Sequence, residues 1–309
     1  MTTLIFTHAS FRDHDTGRGH PECPARIDKV WDVLGSGDFR RLEQRDAPEA
    51  TVDQLARVHE RAYVDAVLAA VPASGRVHLD PDTVISATSR PAILRAAGAV
   101  CAAVDAVVGG QADNAFCAVR PCGHHAEQAR AMGFCVFNNI AVGVEHARKM
   151  HGVKRVAVVD FDVHHGNGTQ AMFEAEPDLF FASTHQWPFY PGTGARTERG
   201  QHDNIVNVPL AANTGSAEFR RGMKDFVLPA LERFAPDLLM ISAGFDAHRR
   251  DPLAHINLEA GDFAWATREL MAAARRHCDG RIVSVLEGGY SMDGLAESLA
   301  AHLRELAVG

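Results

Sequence analysis

Short β-branched apolar runs alternate along this chain with longer stretches in which apolar residues recur every three to four positions. The runs at 3–7, 115–119, 155–161, 179–183, 205–209, 238–243 and 281–286 predict strands buried on both faces. The stretches at 24–34, 62–71, 91–109, 139–151, 216–234, 259–277 and 295–307 predict amphipathic or buried helices. Strand–helix alternation predicts an α/β fold whose central, mostly parallel sheet carries helices on both faces. Neither a repeat, a low-complexity tract nor a linker interrupts the pattern, so residues 1–309 read as a single domain. The Gly-rich stretches 35–37 and 192–200 read as surface loops.

Four predicted strands run directly into polar groups. The first leads to Arg120-Pro-Cys-Gly-His124-His125, the second to Asp160-Phe-Asp162-Val-His164, the third to Gly-Phe-Asp246, and the fourth to Glu-Gly-Gly-Tyr290. The carboxyl edge of an open α/β sheet is where ligands bind. Asp160, Asp162 and His164 alternate, so an extended chain presents them on one side. A solvated turn after a buried strand would instead carry Gly, Asn or Ser.

Composition narrows the field. With 46% hydrophobic and 23% charged residues the balance is that of a globular protein. The net charge is −8, from 31 Lys+Arg and 39 Asp+Glu, and no basic run marks a nucleic-acid footprint. The six cysteines form no CxxC pair and no secreted-scaffold pattern, which predicts a reducing, cytoplasmic setting. The opening MTTLIFTHAS lacks a signal peptide's basic and apolar regions, and no stretch reaches membrane-span length, so no membrane association is expected.

Asp162, His164 and Asp246 make a three-ligand set with one open position, the catalytic arrangement of zinc. The same donors suit Fe(II), Co(II) and Mn(II). In a Gly-preceded loop the neighbouring side chains of His124 and His125 can both face one pocket, where hydrolysis at a metal needs a base for the water and an acid for the leaving amine. Asp160 and Asn167 flank the ligands as orienting partners for these imidazoles. Tyr290, behind two glycines, is placed to donate to a developing oxyanion, though a lone rim tyrosine would read the same way. Phe134 and Tyr190 serve either as packing or as walls of a slot for a slender chain. Cys117, Cys122 and Cys135 read as packing.

These motifs resemble the zinc-dependent histone deacetylase superfamily, with its bacterial acetylpolyamine amidohydrolases and acetoin-utilization proteins. The resemblance runs nearly end to end: His20-Pro-Glu-Cys-Pro-Ala-Arg26, Arg120-Pro-Cys-Gly-His-His-Ala126, Gly133-Phe-Cys-Val-Phe-Asn-Asn139, Asp160-Phe-Asp-Val-His-His-Gly-Asn-Gly-Thr-Gln170, Tyr190-Pro-Gly-Thr-Gly194, Ala243-Gly-Phe-Asp246, Asp251-Pro-Leu253 and Leu286-Glu-Gly-Gly-Tyr290. The His-His-Gly-Asn-Gly-Thr-Gln and Glu-Gly-Gly-Tyr forms resemble the class II branch. The resemblance implies an arginase-like open fold with an eight-stranded parallel sheet. It also implies a zinc ion on Asp162, His164 and Asp246 with room for water and the substrate carbonyl. His125 matches the general base, held by Asn167 where other branches have aspartate. His124 matches its electrostatic partner, held by Asp160, and Tyr290 matches the oxyanion donor. Gly133 matches the carbonyl that accepts the substrate N–H, and Phe134 and Tyr190 match the flanks of an acyl-lysine tunnel. A structural potassium is implied on the backbone carbonyls of Asp160, Asp162, His164 and Thr184 and the side chains of Asp160 and Ser183. Arg26 matches an arginine beneath the site on an acetate exit path. Two residues depart from the pattern: Cys122 replaces a usual proline, and Cys23 lies inside the first motif.

The expected activity is removal of acetyl or another short acyl group from acyl-lysine or a related acylated amine. One alternative is acetylpolyamine deacetylation, and another is an idle acyl-lysine-binding module. Polyamine-selective relatives carry a glutamate at the gate where Leu253 is expected to lie. Leucine there offers only apolar contact.

Overall fold

The structure is a computed structural model and describes residues 1–37 and 39–308. Its strands are β1 (Thr3–Thr7), β2 (Glu43–Asp46), β3 (Arg76–Asp80), β4 (Thr83–Ser86), β5 (Asn114–Cys117), β6 (Val156–Asp160), β7 (Leu179–Gln186), β8 (Ile205–Leu210), β9 (Leu238–Ala243) and β10 (Ile282–Leu286). Eight of them form one sheet in the order β2-β1-β5-β10-β9-β6-β7-β8. Every pairing in it is parallel. β3 and β4 form a separate antiparallel hairpin.

All seven expected strands are present. β5, β6, β7, β9 and β10 are buried at every position, which is why each contains a short apolar run that stands out in the sequence. The eighth strand, β2, has the sequence Glu-Gln-Arg-Asp and gives no apolar signal. It sits at the sheet edge, where charge discourages further pairing.

Helix Ser89–Val108 is long and apolar enough to cross a membrane, which corrects the expectation that no such stretch exists. Its apolar surface is spent on β1, β5 and β10 and on helix Asn139–His151, and most of it is buried. The expected helix 216–234 forms with a defect: Met223–Val227 is a π-type turn between Ser216–Gly222 and Leu228–Phe234. Pro229 lacks an N–H and cannot close the regular bond to the preceding turn, and the widened turn absorbs the mismatch. The short helices Ser10–Asp13, Val52–Leu55 and Asn167–Phe173 carry too few residues to show a period.

β5, β10, β9 and β6 are adjacent in the sheet, although they are far apart in the chain. They are the four strands that end in the polar motifs. The sheet order therefore gathers four loops into one place at its carboxyl edge.

Candidate active site

Asp162 and His164 follow β6, and Asp246 follows β9. One donor atom from each lies within 4.8 Å of the others. His164 Nδ1 is 3.1 Å from Asp162 Oδ1 and 3.1 Å from Asp246 Oδ2. Backbone donors hold the carboxylates in place: Gly288 N–H to Asp162 Oδ2 (2.8 Å), His164 N–H to Asp162 Oδ1 (2.9 Å) and Val163 N–H to Asp246 Oδ1 (2.8 Å). The neighbouring glycines are sterically required. A Cβ on Gly244 would lie 2.0 Å from Asp162 Oδ2, and one on Gly288 would lie 2.1 Å from Asp246 Oδ2.

The electrostatics call for a cation. Burial, and then the Asp162 charge, lift the Asp246 carboxyl to about 7. Burial opposes charge on His164, yet its hydrogen bonds to Asp162 and Asp246 raise it to about 10. Two hard oxygens and one imidazole nitrogen thus compete for positive charge at one buried point, and the donor set fits a divalent zinc ion.

Gly123 turns the chain after β5 so that both imidazoles enter the site, with ring centroids 4.1 Å apart. His124 Nδ1 lies 2.8 Å from Asp160 Oδ2, and His125 Nδ1 lies 2.8 Å from Asn167 Oδ1. Their environments separate them. Burial disfavours charge on His124, but the Asp160 and Asp162 charges outweigh it and hold its pKa well above the ordinary value. Burial, then the positive His124 and His164, push His125 well below the ordinary value. One ring is a cation and its neighbour a neutral base, as two-group acid–base catalysis needs.

A cavity of ≈ 200 Å³ opens onto this cluster and is lined by His125, Gly133, Phe134, His164, Tyr190, Leu253 and Tyr290, all expected from the sequence, together with Phe189 and Asp82. The Tyr190 ring stands against His125 at 5.2 Å and 87°, and Phe134 stands against Tyr290 at 5.8 Å. Phe189 stacks on His164 at 5.6 Å. Phe134 adopts φ = 67°, unusual for a residue with a Cβ. The β3–β4 turn holds it there: Thr83 Oγ1 accepts from Phe134 N–H at 3.1 Å and Asp82 Oδ1 from Gly133 N–H at 3.0 Å. Burial, first, holds the Tyr290 phenol far above its ordinary pKa, so it remains an O–H donor. Leu253 is fixed through Asp251, whose Oδ1 accepts from Leu253 N–H and whose Oδ2 accepts from Tyr290 N–H.

Beneath the cavity, Arg26 packs its guanidinium 4.9 Å from the Tyr290 ring centre and donates to the Gly289 carbonyl at 2.7 Å. Ser183 and Thr184 lie on β7, next to the cluster and outside the cavity wall. Asp160 pairs with Ser183 across β6 and β7. Three contributors escaped the sequence reading. Phe189 is one, hidden beside Tyr190. Asp82 is another, on a hairpin that was not expected. The third is Glu287, whose Oε2 accepts from the backbone N–H groups of Gly123 (2.7 Å) and His124 (3.2 Å) and which burial lifts to about 7.

Among the described residues, two other clusters bring metal-type donors together. Asp105, His146 and His151 converge near the surface, but Arg57 donates to His146 Nδ1 at 2.9 Å, so the Nε2 facing Asp105 carries a proton rather than a free lone pair. Cys122 and Cys135 lie with Glu287, their sulfurs 3.4 Å apart. Burial raises the Cys135 thiol well above its ordinary pKa, so it stays protonated.

A profile of the histone deacetylase domain matches residues 20–306. The histone deacetylase-like amidohydrolase of Pseudomonas aeruginosa is 45% identical over 281 residues, covering 88% of this chain and 73% of that protein. A probable deacetylase of Archaeoglobus fulgidus is 36% identical over 300 residues, covering 95% and 83%. Chloroplastic histone deacetylase 14 of Arabidopsis thaliana is 36% identical over 324 residues, covering 98% and 76%. Among solved structures, the HD domain of HDA15 superposes with a TM-score of 0.92 at 33% identity, covering 99% of this chain and 88% of that one. With its fold, its clustered motifs and these relatives in agreement, the chain belongs to the histone deacetylase family, zinc-dependent hydrolases of amide bonds.

Proposed function

We propose that this protein removes acetyl or another short acyl group from the side-chain amine of acyl-lysine. The observation that carries the reading is a single cavity whose wall brings His125, Tyr290 and the aromatic rings of Phe134 and Tyr190 together with His164 of the Asp162–His164–Asp246 cluster. Asp162, His164 and Asp246 would hold zinc. When bound, zinc supplies the positive charge that polarises an acyl carbonyl and acidifies water.

The chain's own residues account for the rest. Phe134 and Tyr190 exclude water from the methylene chain, and the Gly133 carbonyl accepts the substrate amide N–H. His125 takes a proton from the attacking water at Nε2, because Nδ1–H is committed to Asn167. His124, with its proton held by Asp160, offsets the negative charge that accumulates nearby. Tyr290 donates its O–H to the oxygen of the tetrahedral intermediate. His125 then passes its proton to the leaving amine nitrogen. Potassium is proposed on the carbonyls of Asp160, Asp162, His164 and Thr184 with the side chains of Asp160 and Ser183. The pairing of Asp160 with Ser183 across adjacent strands supports it.

Asp82 favours a second reading. Leu253 leaves the gate uncharged, but Asp82 brings a carboxylate to the cavity wall, and a carboxylate there attracts a cationic polyamine chain. The deciding experiment measures kcat/KM for acetyl-lysine peptides and for acetylspermidine on the zinc-loaded enzyme. Preference for the peptides upholds acyl-lysine, and a tenfold or larger preference for acetylspermidine replaces it.

A further inference from the structure

Asn167 is held from both ends. Its Oδ1 lies 2.8 Å from His125 Nδ1, and its Nδ2 lies 2.8 Å from Glu127 Oε1. An amide has one acceptor end and one donor end, whereas an ionised carboxylate only accepts. Turned over, Asn167 would set its oxygen against the Glu127 oxygen and its N–H groups against the ring N–H. Only the observed orientation satisfies both neighbours. It obliges His125 to carry its proton on Nδ1 and leaves the lone pair on Nε2.

Glu127 is itself fixed. Its Oε1 also accepts from Arg130 Nη2 at 2.9 Å, and its N–H donates to the Arg130 carbonyl at 2.9 Å. Its own carbonyl takes a hydrogen bond from His59 Nδ1 at 3.0 Å, since His59 Nε2 accepts from Asn138 N–H. Glu127 does not line the cavity. Its side chain is 32% exposed, while Asn167 is buried. Whatever it contributes to the reaction passes through Asn167.

We propose that Glu127 is a positioning residue for the hydrolytic base: its acceptor-only carboxylate locks the Asn167 amide, and the locked amide selects the His125 tautomer that can take a proton from water. This rests on the reading of His125 as that base. It also explains why an asparagine stands at 167 in this chain. An aspartate there would confront Glu127 with a second acceptor, so the neutral residue and the carboxylate behind it form one unit.

The test combines kinetics with an activity-independent signal. Glu127→Ala and Glu127→Gln are made in wild type and in Asn167→Ala, and folding is checked by thermal unfolding. In wild type, Glu127→Ala lowers kcat about tenfold, the scale for loss of a partner behind a site residue, with KM within about twofold. Glu127→Gln keeps an acceptor for the amide and recovers most of the loss. In the Asn167→Ala background, Glu127→Ala has no further effect on kcat. Nitrogen-15 NMR of labelled histidines in zinc-loaded protein, with His125 assigned by its loss in His125→Ala, shows an Nδ1–H tautomer in wild type and a mixture in Glu127→Ala. The proposal is overturned by an unchanged kcat in folded Glu127→Ala, by a Glu127→Gln as impaired as Glu127→Ala, by an equal loss without Asn167, or by an unaltered tautomer. Absence of wild-type turnover on every acyl amide would overturn the deacetylase reading, and the NMR signal would still decide the relay.

Discussion

Replacing Asn167 by aspartate puts a negative oxygen where an amide oxygen now lies, 2.8 Å from the His125 ring nitrogen. Unlike charges about 4 Å apart interact by ~4 kcal/mol at the effective dielectric of such a site. At that range an opposite charge displaces a titration by about one to three pH units. His125 starts well below the ordinary histidine value, held there first by burial and then by the His124 charge. The added charge favours its protonated form, so the base is lost at higher pH and the acidic limb of kcat/KM moves upward. Glu127 opposes this gain. Its Oε1 loses an amide donor and meets a second carboxylate at the same 2.8 Å contact. Two carboxylates this close share a proton, which cancels most of the new charge. Asn167→Asp alone therefore moves the limb little and lowers stability, while Asn167→Asp with Glu127→Gln gives the full displacement. The assay is kcat/KM against pH for wild type, both single variants and the double variant, each loaded with zinc. A folded double variant whose acidic limb coincides with that of wild type refutes the coupling of position 167 to His125. A single variant displaced as far as the double refutes the part assigned to Glu127.

Tyr290→Phe keeps the ring and removes the donor, and kcat should fall by about 10²–10³ with little change in KM; loss of binding with kcat intact would contradict the oxyanion role. Leu253→Glu should move the kcat/KM ratio towards acetylspermidine and Asp82→Asn away from it, and an unmoved ratio in both variants would show that neither residue faces the substrate. Glu22 is fully buried and accepts from Arg120 Nε at 2.7 Å and Arg26 Nη1 at 3.1 Å. Glu22→Gln leaves two buried guanidinium groups without their counter-charge and should cost about 3–5 kcal/mol in denaturant unfolding. Burial alone would raise the Glu22 carboxyl, but Arg120 and Arg26 hold it below the ordinary value. Its contribution is therefore complete above the ordinary glutamate range and lost as pH falls through the folded value, so the wild-type advantage over Glu22→Gln should shrink in acid; a constant difference would contradict the linkage.

The buried strands could be read from the chain because both of their faces are covered, which writes a short apolar run. β2 could not, since Glu43–Asp46 owes its form to backbone bonds with β1. The ligand and histidine motifs stood out because ionisable groups at the ends of apolar strands have no packing reason to be there. Glu287 was visible only as a motif member, and Glu127 lay outside every motif. Glu127 matters through a residue 40 positions away. Glu287 matters through the adjacency of β5 and β10, which no local pattern encodes. Asp82 was hidden for another reason. Its hairpin is short and only partly buried on β3, so its alternation was too weak to register, and a charged group in the cavity wall went with it.

The central claim is that a cation held by Asp162, His164 and Asp246 is required for hydrolysis of an acyl amide. The direct measurement is turnover of a fluorogenic acetyl-lysine substrate alongside metal content, for wild type as purified, after chelation, after zinc is restored, and for His164→Ala. The account predicts zinc-dependent turnover that disappears on chelation and returns with zinc, and a folded His164→Ala that has lost both metal and activity. Undiminished turnover in the metal-free enzyme, or wild-type zinc content in His164→Ala, would contradict it.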